Sequence, residues 1–344
     1  MNDILKQDIE FIHKQVDFSR LENRTVLVTG ATGLIGSSII ISMLEWNRKN
    51  DKKINVVAVV RNTEKAKKVF SDYSDDEINY LVADICSINI DAISADYIIH
   101  GASQTSSKAF VNEPVETIMT AIQGTKNMLD IASKSNCSGF VYLSSMEVYG
   151  TPLTDEKIYE DRPSNLNVME VRTCYPESKR MCENLCVSYS SEYDVPAKVV
   201  RLTQTFGTGV QYNDGRVFAE FARCVVEGRN IVLKTKGETK RNYLYTADAV
   251  TAILTVLLDG EPANAYNAAN EETYCSIYEM ACEVAKLNEK GIEVVIEENN
   301  DLSKFGYAPT LKMNLSTDKL KALGWKPAYN LLDMYSRMIK TMVK

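Results

Sequence analysis

The chain has 344 residues, 45% hydrophobic and 25% charged, the balance of a folded protein large enough to bury a core without disulfide or metal staples. A formal net charge of −7 argues against a nucleic-acid partner, whose phosphates require a basic face. No run approaches the roughly 18 uninterrupted apolar residues of a membrane helix, and the opening MNDILKQDIEFIHKQ is charged throughout, unlike a signal peptide, so a cytoplasmic protein off the membrane is expected. Eight cysteines lie scattered in apolar segments without a C-x-x-C pair, and His13 and His100 are the two histidines. No metal site is expected; reduced thiols packed as small apolar side chains are.

Residues 1–24 place Leu5, Ile9, Ile12 and Val16 at helical spacing, which predicts a short amphipathic helical extension. From Thr25 onward short β-branched runs alternate with helical stretches. TVLVT precedes a helix from about Leu34, and NVVAVV precedes a Lys-rich helix. INYLVA and DYIIHG follow, then a helix over Val115 to Ser133, then GFVYLSS and AKVVRL. This alternation predicts an α/β, Rossmann-type doubly wound parallel sheet with helices on both faces. After Leu202 the pattern loosens around Gly207, Gly209, Gly215, Gly228 and Gly237. The expected division is a dinucleotide-binding lobe over 25–205 with 240–262, and a smaller C-terminal substrate-binding lobe over 206–239 with 263–344. Residues 259–310 are expected to line the outer side of the cleft.

TVLVTGATGLIGSSII sets Gly30, Gly33 and Gly36 between an apolar strand and an apolar helix, the context a dinucleotide fingerprint requires. Gly30 permits the tight turn, Gly33 lets the backbone approach a pyrophosphate, and Gly36 lets the helix pack close to the sheet. Thr32, Leu34 and Ile35 complete that cofactor loop. An acidic residue usually ends the second strand to bind the adenosine ribose. Here the strand runs into Arg61-Asn62-Thr63, with Lys65, Lys67 and Lys68 behind it. Arg61 suits a ribose 2′-phosphate, which favours NADP(H) over NAD; the alternative is a solvated helix face.

GFVYLSSMEVYG ends a strand with Ser145 and Glu147, and some 30 residues on Tyr175-Pro-Glu-Ser-Lys179 opens a helix. Spacing of four puts phenol and ammonium on one helical face, where the ammonium is expected to lower the phenol's pKa. Tyr175 then exchanges a proton with a carbinol or carbonyl oxygen that Ser145 also hydrogen-bonds, while hydride passes to or from a nicotinamide. Lys179 is expected to hold the nicotinamide ribose as well.

With these marks in order, the chain resembles the extended short-chain dehydrogenase/reductase family, the nucleotide-sugar epimerases, dehydratases and decarboxylases. The resemblance runs through T-G-A-T-G-L-I-G (Thr29 to Gly36), Ala83-Asp84-Ile85, H-G-A-S (His100 to Ser103), S-S-M-E-V-Y-G, Y-P-E-S-K, R-L-T-Q-T-F-G (Arg201 to Gly207) and L-G-W-K-P (Leu323 to Pro327). It implies NAD or NADP in the N-terminal lobe, with Asp84 and Ile85 beside the adenine and Gly101, Ala102 and Ser103 along the cofactor. It also implies a nucleoside-diphosphate sugar in the cleft, and a homodimer through a four-helix bundle.

Arg172 to Arg180, Glu147 and Asn213 to Val217 look most like UDP-glucuronate decarboxylases. That likeness implies that Glu147 and Arg241 assist after oxidation at C4, and that Arg216, Arg241 and Gln204 contact substrate. Ala121 and Gln204 each replace an asparagine usual in the family. Met146 stands where 4,6-dehydratases carry a proton-donating aspartate. Two enzyme readings stay open: a redox-neutral epimerase or decarboxylase that recycles its cofactor, and an NADPH-dependent reductase of a nucleotide-linked keto sugar. A catalytically silent dinucleotide-binding protein is the remote third.

Overall fold

The computed structural model describes residues 1–297 and 310–342. The strands in chain order are β1 (Thr25–Thr29), β2 (Asn55–Val60), β3 (Asn79–Val82), β4 (Tyr97–His100), β5 (Gly139–Ser145), β6 (Ala197–Leu202), β7 (Gln204–Phe206), β8 (Ile231–Leu233), β9 (Lys240–Tyr245), β10 (Ala265–Ala268), β11 (Asn270–Ser276), β12 (Val294–Ile296) and β13 (Lys312–Met313). The helices are α1 (Asp3–Gln15), α2 (Leu34–Lys49), α3 (Thr63–Val69), α4 (Ser107–Asn112), α5 (Pro114–Lys134), α6 (Cys174–Tyr193), α7 (Val217–Glu227), α8 (Thr246–Asp259), α9 (Ile277–Ala285), α10 (Asp318–Lys321) and α11 (Leu331–Met342).

Seven parallel strands run in the order β10-β6-β5-β4-β1-β2-β3. The order reverses between β1 and β4, and the crevice outside the strand ends at such a switch point is where doubly wound sheets bind ligands. Both faces of the sheet are covered, which is why its strands read as continuous apolar runs. The period of two divides each strand between two cores. Val26 and Val28 of β1 and Val141 of β5 join the α2 and α8 side chains Ile39, Ile40, Ile253 and Leu254. Leu27, Phe140 and Tyr142 face Met128 and Leu129 of α5 and Cys182 and Cys186 of α6.

The predicted lobe boundaries shift. Residues 240–245 form β9, which pairs with β7, β11 and β13 in a four-stranded sheet of the smaller lobe. Residues 265–268 form β10, the seventh strand of the main sheet. The four residues AYNA carry no strand signature of their own. Their Asn267 is fully buried, accepts from the Tyr149 hydroxyl at 2.7 Å and donates to the Ile158 and Ser316 carbonyls. Hydrogen bonds from distant segments therefore hold this strand. Of the segment expected along the outer cleft, 298–309 lies outside the described residues.

The N-terminal extension forms α1, capped by the Asn2 side chain, which accepts from the Leu5 amide at 2.8 Å. Ile9 and Ile12 are buried. Its Asp8 accepts from the Tyr245 hydroxyl at 2.8 Å and from Arg337 of α11 at 2.7 Å, joining both ends of the chain to the start of α8.

Candidate active site

Two glycines of the phosphate loop have no room for a side chain. Gly30 sits at φ +69°, where a Cβ would come 2.8 Å from the Gly101 carbonyl carbon; at Gly36 it would come 2.3 Å from the Gly30 carbonyl oxygen. These approaches bring the β1 turn against the end of β4 and seat α2 on the loop. Gly33 N-caps α2 without any side-chain cap, so the first-turn amides of Leu34 and Ile35 are left for an anion. The residues present therefore fit a dinucleotide pyrophosphate.

The β1–β4 crevice is fixed from beneath. Thr29 Oγ1 accepts from the Gly101 and Ala102 amides at 3.1 and 3.0 Å, so its own proton goes to His100 Nδ1 at 2.7 Å. The imidazole proton then sits on Nε2, facing Thr125 Oγ1 at 3.2 Å. Burial, and then the Lys179 charge, hold His100 down to about 3, so it stays neutral. Ser103 Oγ is buried without a partner among the described residues. Asp84 is exposed and accepts from the Cys86 amide at 2.8 Å, while Asn127 of α5 donates to the Ile85 and Cys86 carbonyls. Gly124 makes way for Ile85, whose Cδ1 would lie 2.4 Å from a Cβ there. The predicted cofactor residues from Gly30 to Gly36, Asp84 and Ile85, and Gly101 to Ser103 thus come together around one crevice. Arg61 is exposed just past β2 and engages no side chain among the described residues.

The hydride-transfer residues meet at the end of β5 and the start of α6, a helix opened by Pro176 in its first turn and closed by Asp194 at φ +55°. Ser145 caps the 3-10 turn Met146–Tyr149, its Oγ accepting from the Glu147 amide at 3.2 Å. That contact leaves the Ser145 proton to donate elsewhere. Lys179 is 3% exposed and donates to the Leu143 carbonyl at 2.7 Å, with the Tyr142 ring centroid 4.7 Å away. Burial pulls its ammonium down to about 8, against Cys182, Glu183 and Cys186, which raise it.

The expectation that Lys179 lowers the Tyr175 phenol needs correction. Burial pushes that phenol up, and the Glu147 charge adds to the rise. The opposing groups are the Ser145 hydroxyl and the Arg172 guanidinium. The reason is direction: the ammonium lies 5.8 Å from the Tyr175 ring centroid and is aimed at β5.

Two neighbours of Tyr175 escaped the sequence reading. Phe110 of α4 stacks on it, centroids 4.3 Å apart and planes at 13°. The Arg172 guanidinium lies over the Phe110 ring, 4.8 Å from its centroid, and donates to Glu147 Oε2 at 2.9 Å. Arg172 stood inside the quoted R-T-C-Y-P segment, three residues before Tyr175, and that proximity was its one signal. Phe110 had none.

The expected substrate residues divide. Gln204 begins β7 opposite Tyr243 and is half-buried. Arg241, on β9, keeps its Nε buried with no partner among the described residues. Arg216 is spent locally, paired with Asp214 at 2.5 Å and lying 4.7 Å over the Phe218 ring.

Residues 26–269 match the NAD dependent epimerase/dehydratase family. The chain belongs to that family. It is 28% identical over 309 residues to UDP-glucuronic acid decarboxylase 5 of Arabidopsis thaliana, covering 90% of this chain and 86% of the relative. It is 26% identical over 321 residues to mouse (Mus musculus) dTDP-D-glucose 4,6-dehydratase, covering 88% and 84%. The fold matches the UDP-glucuronic acid 4-epimerase of Bacillus cereus, solved with UDP-glucuronic acid and NAD, at a TM-score of 0.77 and 18% identity over 92% and 98% of the two chains. The protein is thus an enzyme of the NAD-dependent epimerase/dehydratase family. No helix among the described residues is long and apolar enough to cross a membrane.

Proposed function

We propose that the enzyme oxidises C4 of a UDP-linked hexuronate, releases its carboxyl group as carbon dioxide and reduces C4 again. The observation that carries this reading is the Glu147 carboxylate, held at 2.9 Å by Arg172 on the turn that follows Ser145. Dehydration is disfavoured because the intervening Met146 is buried with its sulfur against the Thr203 hydroxyl at 3.3 Å, and a thioether donates no proton.

NAD, when bound, supplies the hydride acceptor and donor, and its positive nicotinamide ring favours a phenolate nearby. Tyr175 takes the C4 hydroxyl proton as C4 loses hydride and returns it when hydride comes back. The Ser145 proton hydrogen-bonds the same oxygen. Oxidation leaves a ketone two bonds from the carboxylate, so breaking the C5–carboxyl bond sends its electron pair into a C4 enolate oxygen that Tyr175 and Ser145 face. Glu147 is placed to serve the proton added at C5. Arg241, with its unspent Nε, grips the diphosphate; Arg216 would have to leave Asp214 to help.

Incubation with UDP-glucuronate and NAD, followed by mass analysis of the sugar, tests this. A product lighter by carbon dioxide is expected; an isomer of unchanged mass makes the enzyme a 4-epimerase, and no reaction with UDP-uronates overturns the reading.

The exposed Arg61 favours a second version, with NADPH and net reduction of a keto sugar. Extraction of the cofactor that co-purifies decides between them, tightly held NAD excluding this version. A homodimer is supported by Val115 and Met119 on α5 and Met181 on α6, apolar side chains 71%, 51% and 51% exposed. Light scattering of wild-type and Met119→Lys protein tests it. Eight free cysteines suit a reducing compartment, the cytoplasm.

A further inference from the structure

Behind the Tyr175 and Lys179 face of α6 lies a pair of charges that the hydride step does not touch. Glu183, one turn beyond Lys179, is 9% exposed. Arg201 of β6 meets it as a fork, Nε to Oε1 at 3.0 Å and Nη2 to Oε2 at 2.7 Å. The Ser144 hydroxyl donates to Glu183 Oε1 at 2.6 Å, and Arg201 Nη1 donates to the Tyr149 hydroxyl at 2.8 Å and to the Glu160 carbonyl at 2.7 Å. Each partner adjoins a residue of the reaction. Ser144 precedes Ser145, Tyr149 closes the turn that carries Glu147, and Glu183 follows Lys179 on the same helix.

A buried ion pair is weak as a source of stability, because desolvation offsets the attraction; its attested use is to fix register. The fork geometry suits that use, since two parallel N–H donors set orientation as well as distance. We propose that Glu183 and Arg201 are positioning residues of the reaction. The pair holds α6 in register with β5 and the Glu147 turn, and its carboxylate stands as a counter-charge one helical turn from the Lys179 ammonium. This rests on the NAD-dependent reading of the site.

The surroundings of Lys179 single out Glu183. From β4 comes His100, held neutral by burial; from β5 come the Tyr142 ring and the Leu143 carbonyl. From α5, Ala121 supplies a carbonyl that accepts from the Cys182 thiol. The helix itself supplies Tyr175, Glu183, and the Cys182 and Cys186 thiols, both raised by burial and hence neutral. From β6 comes the Arg201 guanidinium, forked on Glu183, which is the carboxylate of this set.

The test compares wild-type enzyme, Glu183→Gln and the double variant Glu183→Leu with Arg201→Met. Calorimetric titration with NAD from pH 6 to 9.5 is one readout and turnover of UDP-glucuronate the other. NAD affinity at pH 6.5 stays within about threefold of wild-type in both variants; the alkaline loss of binding moves down by about one pH unit in Glu183→Gln, which leaves Arg201 charged, and stays in place in the double variant, which removes both charges. Turnover at pH 7.5 falls about tenfold at unchanged KM. Replacing both partners by apolar side chains of similar size preserves the fold where the single change leaves Arg201 unpaired, so the double variant decides if Glu183→Gln does not fold. A folded double variant with wild-type turnover overturns the proposal and leaves the pair a plain structural one. The NAD titration of Glu183→Gln tests the counter-charge even if UDP-glucuronate is not turned over, and an unmoved alkaline limb in that folded variant overturns it. Wild-type protein that binds no NAD at any pH would sink the functional reading and this inference with it, an outcome separate from a variant that binds like wild-type.

Discussion

At the seam of α1, α8 and α11, the two buried carboxylates are matched on both oxygens. Asp8 receives the Tyr245 hydroxyl on one oxygen and Arg337 on the other, and Asp248 receives the Ala328 and Tyr329 amides at 2.9 and 3.3 Å. The end of β5 gathers as many buried ionisable groups and leaves them unspent. Lys179 uses one donor on the Leu143 carbonyl, Ser145 keeps its proton, and the Tyr175 phenol has Ser145 beside it. Burial of charge therefore does not mark a reaction centre in this molecule; unspent hydrogen-bonding capacity beside a crevice does.

The largest effect should separate the two regions outright. Tyr175→Phe removes the proton carrier but no internal hydrogen bond of the fold, so turnover is expected to drop about 10²–10⁴-fold. NAD affinity and melting temperature should stay near wild-type. Retention of more than a tenth of the activity would take the proton transfer away from Tyr175.

The converse change acts on the seam. Arg337→Leu strands the Asp8 carboxylate, which is 5% exposed, and breaking such a pair is expected to cost about 3 kcal/mol of stability. Turnover per folded molecule should not change. Chemical denaturation alongside active-site titration with NAD checks both halves, and a loss of kcat at full stability would mean that the two regions are coupled.

Arg172→Ala sharpens the comparison from the reactive side. Arg172 and Glu147 are 29% and 33% exposed, so the fold should tolerate the change. Removal of a cation that favours the phenolate pushes the Tyr175 phenol further up, moving the ascending limb of kcat to higher pH with about a tenfold loss at neutrality. An unmoved limb would confine Arg172 to holding Phe110.

How much of this was legible beforehand follows the range of the interactions. The phosphate loop, β5 and the Tyr175–Lys179 face are local patterns of spacing, readable along the chain. The seventh strand was not, because AYNA is held by Tyr149, Ile158 and Ser316, partners 118, 109 and 49 residues away in sequence. Phe110 reaches Tyr175 from 65 positions away, and Glu183 meets Arg201 18 positions on, from a helix to a strand. The error over Lys179 was of another kind. Spacing of four put the ammonium on the face of Tyr175, but side-chain direction sent it to Leu143, and periodicity carries no information about that choice.

The smallest effect is a slope. Burial raises the Asp248 carboxyl from the ordinary 3.8 to about 7, in spite of the two amides that favour its charged form, and Asp8 is raised as well. Between about pH 4 and 7 the folded protein therefore holds a proton at Asp248 that the unfolded chain has already released. Stability contributed by this group is full below pH 4, declines as pH rises toward 7 and is level above it. One proton sets an upper limit of about 1.4 kcal/mol per pH unit, and carboxylates that gain partners on folding, such as Glu77 beside Arg48, lowered from 4.5 to about 2, act below this window. The difference between wild-type and Asp248→Asn isolates the contribution. The variant's melting temperature should lose a decline of a few degrees over that window. Parallel curves for the two proteins would mean that the amides keep Asp248 charged throughout, and that the seam, like the pairs on the surface, is insensitive to pH above 4.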